Sequence, residues 1–301
     1  MYKVTIIIPH YNSLNTLKIL VDSIPDLKEI QVIVVDDKSD CGLDQVKEAA
    51  SGKKRADVMV FRNESPKKGA GVCRNLALNH AEGEWLLFAD ADDYYMPDMW
   101  EIISAYLDTE YDIVYFKPIS YVLGTTERSD KRGRFYEKII DLYLRDACNR
   151  YNEMRMRYSW YVPWSKLIRM EIIVNNGISF DETIVANDVM FSAKCGYYAN
   201  KIAADERIIY CVTEQTGTLT QTINEEWFDI RINSYIRRNE FMKQRLSEEE
   251  MKTFRFSGTF LILKALKEGY GVTKAHQLMK LFDENDIRYS KKAVNKEFPE
   301  V

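Results

Sequence analysis

The sequence predicts an α/β fold in which a mostly parallel sheet carries flanking helices, with a helical region at the C-terminal end. Three observations predict it. Over the first 116 residues, β-branched runs of strand length alternate with stretches of helical periodicity. Those runs lack a polar alternation, as strands covered on both faces do. From Glu225 onward the pattern reads as two or three helices.

The elements follow in order. Val4–Ile8 is a run apolar except for Thr5, and Ser13–Ile24 sets Leu14, Leu17, Leu20, Val21 and Ile24 on one helical face. Ile30–Val35 is a second β-branched run, and Gly42–Ala50 suits a short helix. Asp57–Phe61 reads as a strand, Gly71–Ala81 as a helix, Trp85–Ala89 as a strand, Asp98–Leu107 as a helix and Asp112–Phe116 as a strand. Residues 117–134 read as a loop or ragged hairpin, and Phe135–Arg150 as a helix. Tyr151–Trp164 is rich in arginine, methionine and aromatics and fits no clean period. Lys166–Asn175 reads as a helix stopped by Gly177. Asn187 or Asp188 begins another helix through Tyr198, and Arg207–Val212 resembles a strand. There is no internal repeat and no low-complexity segment.

Composition limits the partners. Hydrophobic residues make up 46% of the chain, enough for a sizeable core. A net charge of −4 supplies no basic footprint, so a nucleic-acid partner is not expected. The five cysteines, at 41, 73, 148, 195 and 211, form no C-x-x-C pair; a reducing cytoplasm fits them best. The apolar run near the N-terminus is too short for a signal-peptide core, and no segment reaches the ~18 apolar residues of a membrane span. Peripheral contact with a membrane stays open. Arg145, Arg150, Arg155 and Arg157, interleaved with Tyr151, Tyr158, Trp160 and Tyr161, would suit a lipid-diphosphate acceptor at such a surface. A solvated helix face with its aromatics packed inward is the favoured reading of that stretch.

In parallel sheets ligands gather beyond the carboxyl ends of the strands. Four polar or turn-forming patches lie there: Pro9–Asn12, Asp36–Asp40, Asn63–Gly71 and Asp90–Asp93. The last is the strongest signal. Asp90, Asp92 and Asp93 follow a buried strand, and Asp90 and Asp92, two apart, share one side of an extended segment. Like charges this close call for a hard cation such as Mg²⁺ or Mn²⁺, which would also hold a diphosphate. A solvated acidic turn before a helix is the plainer reading, and the position after a buried strand favours the ligand. Asp37 suits a base N–H or a ribose hydroxyl, or simply a turn. Tyr11 suits stacking on a base, or packing. Gly69 and Gly71 permit close backbone approach. Arg74 then sits in the first turn of a helix, where a diphosphate would lie, or is a surface arginine. No G-x-G-x-x-G follows the first strand, so a dinucleotide site is not supported. His10, His80 and His276 have no metal-ligand spacing, and His10 reads as a position that accepts many residues.

In order and spacing these patches resemble family 2 glycosyltransferases, which have the GT-A fold, a Rossmann-like sheet with flanking helices. The likeness runs continuously over residues 2–116: Ile8-Pro9-His10-Tyr11-Asn12, Val35-Asp36-Asp37-Lys38-Ser39, Gly69 through Arg74-Asn75, Ala81-Glu82-Gly83-Glu84 and the acidic Phe88–Asp93. It continues more loosely in Trp164-Ser-Lys-Leu-Ile168, Ile178-Ser-Phe-Asp-Glu182, Asn187-Asp188 and Gly217-Thr-Leu-Thr220.

The resemblance implies an inverting, metal-dependent transferase. It would move a sugar from a nucleotide diphospho-sugar, expected to be UDP-linked, to a saccharide or lipid-linked saccharide in surface-polysaccharide or glycolipid assembly. Pro9, Tyr11, Asp37, Arg74, Asp90 and Ala91 would line the nucleotide. Asp92 with Asp90 would hold Mn²⁺ or Mg²⁺, and Asp188 would be the catalytic base. The family's acidic pair is Glu-Asp; here it is Asn187-Asp188, which leaves the role of Asn187 open. The implied organisation is 1–116 for the nucleotide-sugar half of the domain, 117–224 for its acceptor-side half and 225–301 for a helical region. Two alternatives stand beside this reading: a nucleotidyltransferase, which would need a glycine- and lysine-rich loop where Pro9–Asn12 lies, and a degenerate subunit that binds nucleotide sugar without turnover.

Overall fold

The computed structural model describes residues 1–51, 58–129, 132–214, 223–254 and 257–299. They form two compact units, Met1–Thr216 and Gly217–Val301.

The first unit begins as the periodicity predicts. Strand β1 (Val4–His10), helix α1 (Leu14–Ser23), β2 (Ile30–Asp36), α2 (Leu43–Ser51), β3 (Met59–Arg62), α3 (Ala70–Leu78) and β4 (Trp85–Phe88) alternate. The chain then passes through β5 (Tyr94–Tyr95), α4 (Met99–Ser104), β6 (Ile113–Phe116), β7 (Ile119–Val122), α5 (Arg134–Arg145), α6 (Arg150–Ser159), β8 (Lys166–Arg169), α7 (Met170–Asn175), α8 (Val189–Tyr198), β9 (Ile202–Asp205) and β10 (Tyr210–Glu214). Seven strands make one sheet in the order β3-β2-β1-β4-β8-β6-β9, and β5-β10-β7 form a second. In the large sheet only β8 runs antiparallel, to both β4 and β6. Ile6, Ile7 and Ile8 of β1 and Ile33, Val34 and Val35 of β2 are fully buried, which is why those strands show no polar alternation.

Parallel pairing fixes where the site lies. His10 is in register with Asp36, and Ile7 with Phe88. Residues 11–12, 37–40 and 89–93 therefore leave the sheet at one edge, as expected for a ligand-binding α/β sheet.

Several local expectations fail for physical reasons. Lys166–Asn175 is half strand: Leu167 and Ile168 are fully buried between β4 and β6, and a four-residue central strand has no period to betray it. The aperiodic stretch 151–164 contains α6, opened by Asn149, whose side chain accepts hydrogen bonds from the Tyr151 and Asn152 amides. Met154, Met156, Arg157 and Tyr158 are all buried, so α6 has no single apolar stripe. Arg157 donates to the carbonyls of Gly196 (2.8 Å) and Ala199 (2.6 Å), satisfying the C-terminal end of α8 instead of meeting solvent or lipid. Strand β9 is a further element that its sequence, Ile-Ala-Ala-Asp, does not announce.

In the second unit five helices occur among the described residues, where the sequence suggests two or three: α9 (Glu225–Lys243), α10 (Glu248–Phe254), α11 (Thr259–Lys267), α12 (Gly271–Glu284) and α13 (Lys291–Glu297). Two have only seven residues, too few to show a period. Phe228, Ile262, Phe282 and Val294 form buried parts of this unit. No described helix is long and apolar enough to cross a membrane.

Candidate active site

The ends of β1 and β2 are tied together by polar side chains. His10 Nδ1 lies 3.1 Å from Asp36 Oδ1, both fully buried; burial holds the imidazole pKa down against the pull of Asp36. Thus His10 is a fixed structural partner and not a permissive position. Lys38 adopts a left-handed conformation (φ 60°), and the chain turns so that the Asp37 carboxylate points at two neighbouring segments. It accepts hydrogen bonds from Asn63 Nδ2 (2.7 Å) and the Gly69 amide (2.7 Å). Asn12, also left-handed (φ 48°), exchanges two hydrogen bonds with Asp40. Pro9 is half-buried, while Tyr11 is 51% exposed with Lys68 Nζ 4.9 Å from its ring centre.

The glycine–arginine segment does more than open α3. A Cβ on Gly69 (φ 123°) would lie 2.8 Å from the Thr183 carbonyl oxygen, and one on Gly71 only 2.1 Å from that of Asp181. The glycines therefore let α3 press directly on the 181–187 loop. Asn75 binds the backbone of Phe180 in both directions, at 2.8 and 3.0 Å. Arg74, buried, reaches across: Nη1 donates to Asn187 Oδ1 (2.8 Å) and Nη2 to Asp90 Oδ1 (2.7 Å). Its Nε is buried without a hydrogen-bond partner.

The carboxylates of Asp90, Asp92 and Asp93 can bring oxygens within 4.8 Å of one another. They are not equivalent. Asp93 is buried and pinned, accepting from Tyr210 Oη (2.8 Å) and the Thr213 amide (2.7 Å). Asp90 and Asp92 keep partial exposure, with Ala91 buried between them. Burial pushes the Asp92 pKa up and Asp90 adds to the shift, while Arg132 opposes it. Burial likewise drives Asp93 well above the carboxylate range, with Asp92 and Asp90 contributing. Arg132 Nη2 lies 3.9 Å from Asp90 Oδ2. The donor set is all hard oxygen and its charges repel, so the residues present fit a small divalent cation.

Asp188 stands at the N-cap of α8, yet its side chain makes no capping hydrogen bond. Burial raises its pKa; Arg74 and Lys166 pull it down and Asp90 pushes it up. Lys166, fully buried, donates to the Trp160 carbonyl (3.2 Å) and Ser192 Oγ (3.0 Å), and burial lowers its pKa to about 8. Trp164 stacks on Tyr210 (5.9 Å, 19°), whose hydroxyl holds Asp93. The W-x-K-L segment thus supports Asp93 through Tyr210 and is hydrogen-bonded to Ser192, in the first turn of the helix that Asp188 opens.

Sequence reading missed Arg132, Tyr210, Thr213 and the hydrogen bonds of Lys166. The K-R-G-R run around Arg132 was a visible cluster of charge, but its proximity to Asp90 is a tertiary fact. Gly217–Thr220 lies outside the described residues.

A family model for glycosyl transferase family 2 matches residues 5–161, more than half of the 301 residues, and stops short of Asp188. Over 225 residues the chain is 28% identical to the poly(ribitol-phosphate) beta-N-acetylglucosaminyltransferase TarS of Staphylococcus aureus, covering 72% of this chain and 36% of TarS. The chain therefore spans about a third of that relative's length. The structure of S. aureus TarS 1–349 in complex with UDP-GlcNAc superimposes with a TM-score of 0.58 at 23% identity, covering 84% of this chain and 78% of that one. The mannosyltransferase PcManGT from Pyrobaculum calidifontis, in complex with GDP-Man and Mn²⁺, gives 0.58 at 17% identity, covering 94% and 76%. These likenesses show the fold: the GT-A architecture with a helical C-terminal region, as the resemblance implies.

Proposed function

The chain belongs to glycosyl transferase family 2, and from that premise we propose that it is an inverting glycosyltransferase. It moves a sugar from a UDP-linked donor to the hydroxyl of a saccharide or lipid-linked saccharide, in surface-polysaccharide or glycolipid assembly. The observation that carries this reading is the Arg74 bridge. One guanidinium holds Asp90 of the acidic cluster and Asn187 beside Asp188, so phosphate-side acids and a carboxylate of raised pKa share a single site.

In this reading the exposed Tyr11 ring stacks on the base, Pro9 and Ala91 close around the nucleotide, and Asp37 accepts a base or ribose hydrogen through lone pairs left over from Asn63 and Gly69. Arg74 acts on the donor through Asp90, which it orients, and Arg132 also faces the cluster. Asp92 with Asp90 would hold Mn²⁺ or Mg²⁺, which when bound neutralises charge gathering on the leaving diphosphate. Asp188 takes the acceptor proton as the new bond forms, and its raised pKa makes it a stronger base than an ordinary carboxylate. Attack from the face opposite the diphosphate turns an α-linked donor into a β-linked product. Positioning of both substrates supplies much of the barrier reduction. The UDP-GlcNAc held by TarS supports UDP as the carrier, and the Mn²⁺ in PcManGT supports the cation. Five free cysteines suit a cytoplasmic site of action.

Family membership, and Pro9–Asn12 in place of a glycine- and lysine-rich loop, favour sugar transfer over nucleotidyl transfer. The test is a panel of UDP-, GDP- and dTDP-sugars with Mn²⁺ and saccharide acceptors. Release of UDP with a glycosylated product is expected; release of pyrophosphate from nucleoside triphosphates instead, or tight nucleotide binding with no turnover on any donor, would overturn the reading.

A further inference from the structure

We propose that the ring pair Phe135–Tyr161 is the platform on which the acceptor sugar lies while its hydroxyl meets Asp188. This rests on the transferase reading and adds where the acceptor binds and what chemistry recognises it. Phe135, in the first turn of α5, is 42% exposed, although the same helix buries Tyr136, Ile139 and Ile140 on its inward face. Its ring is nearly parallel to that of the half-buried Tyr161, at 17° with centroids 6.3 Å apart. It is held edge-on by Tyr136 (5.2 Å, 80°), itself packed on Trp160 and Trp164 (4.9 and 5.0 Å). The pair is thus fixed from below and open to solvent on Phe135.

Three links set it beside the base. The Tyr161 carbonyl accepts from Ser192 Oγ (2.6 Å), and the Ser192 amide donates to the Asp188 carbonyl (2.9 Å), so Tyr161 is hydrogen-bonded to the first turn of the helix that Asp188 opens. Burial raises the Tyr136 pKa and the Asp188 charge raises it further, so the phenol lies within the electrostatic reach of that carboxylate. Arg132, three residues before Phe135, reaches to 3.9 Å from Asp90 and so brings the start of α5 to the acidic cluster. Displacement at the anomeric carbon needs the acceptor on the side of the base away from the diphosphate. The nucleotide residues Tyr11 and Asp37 belong to the β1–β2 edge, whereas Phe135 and Tyr161 flank the α8 side. A pyranose presents a face of C–H groups that suits an aromatic ring and a rim of hydroxyls that suits the nearby phenols and carboxylate.

The test uses the full chain with methyl β-N-acetylglucosaminide, methyl β-galactoside and methyl α-glucoside as acceptor probes, read by saturation-transfer NMR in the presence of UDP. The proteins compared are the wild type, Phe135→Ala and Phe135→Trp. At least one glycoside is expected to show saturation of its ring C–H protons with wild type and F135W, and to lose it with F135A. In transfer assays with that glycoside F135A should raise the acceptor KM about tenfold while the UDP affinity stays unchanged, a factor within the range of single aromatic contacts. Equal saturation and equal acceptor KM in F135A would overturn the platform, as would no saturation of any of the three glycosides by wild type. The transferase reading fails separately, if wild type turns over no nucleotide sugar at all.

Discussion

Replacing Arg74 with methionine keeps most of the buried aliphatic volume and removes both hydrogen bonds of the bridge. Asp90 then loses its 2.7 Å partner and Asn187 its 2.8 Å one. Breaking a fully buried ion pair costs about 3–5 kcal/mol. The Asp90 side chain is 26% exposed and Arg132 stays 3.9 Å away, so its share falls to about 1–2 kcal/mol. The Asn187 carbonyl oxygen, left unsatisfied at 8% exposure, adds about 1 kcal/mol. Removing the partnerless Nε offsets part of this, leaving a net loss of about 2 kcal/mol. In a unit of this size that lowers Tm by about 4–8 °C. The bridge also acts on Asp188, the proposed base. Arg74 holds the Asp188 pKa down, so without it the value rises further above the ordinary carboxylate range. A base works only when ionised, so the acidic limb of the kcat/KM profile moves to higher pH. Differential scanning calorimetry and UDP-release rates across the acid range read the two effects. An unchanged Tm together with an unmoved acidic limb would refute the bridge as the link between the two carboxylate groups.

Three further substitutions test separate parts of the account. Asp188→Asn is expected to lower transfer at least ~100-fold, the scale of general-base catalysis, while UDP affinity measured by calorimetry stays within about twofold; full activity would remove the base assignment. Asp92→Ala should abolish the Mn²⁺-dependent part of UDP binding and leave the metal-free part in place, and equal affinity of wild type with and without Mn²⁺ would end the metal proposal. Gly71→Ala drives a methyl into the Asp181 carbonyl, 2.1 Å away, and into Asn187 Cβ at 2.9 Å. It should cost at least about 2 kcal/mol and show as a fall in Tm, because the obstacle is backbone and not a flexible side-chain end.

Much of the proposed donor side of this site is legible in the sequence. Strands β1 and β2 announce themselves because they are buried on both faces, and their register then carries Tyr11, Asp37 and Asp90–Asp93 to one edge without further information. What the sequence hides is closure. Arg74 and Asn187 are 113 residues apart, and nothing local marks the arginine as the partner of an amide and not of a phosphate. Arg157 reads as part of a solvated helix face because arginine is seldom buried, yet it is buried with backbone carbonyls accepting its hydrogen bonds, as is Lys166, whose charge nothing in the sequence marks as buried. Strand β8 hides for another reason: four residues flanked by antiparallel neighbours have no period of their own, and a helix follows at once. Asn187 is the reverse case, a departure from the acidic pair that is plain in the sequence; in the structure its amide oxygen accepts from Arg74 and adds no second negative charge beside Asp188.

The most direct test of the central claim is a crystal soaked with Mn²⁺ and UDP and measured at a wavelength where manganese scatters anomalously. The account predicts an anomalous peak within coordination distance of Asp92, with Asp90 beside it, the diphosphate on the same ion and the uracil ring against Tyr11. UDP bound elsewhere, or no manganese peak at these carboxylates while UDP occupies the edge of β1 and β2, would contradict it.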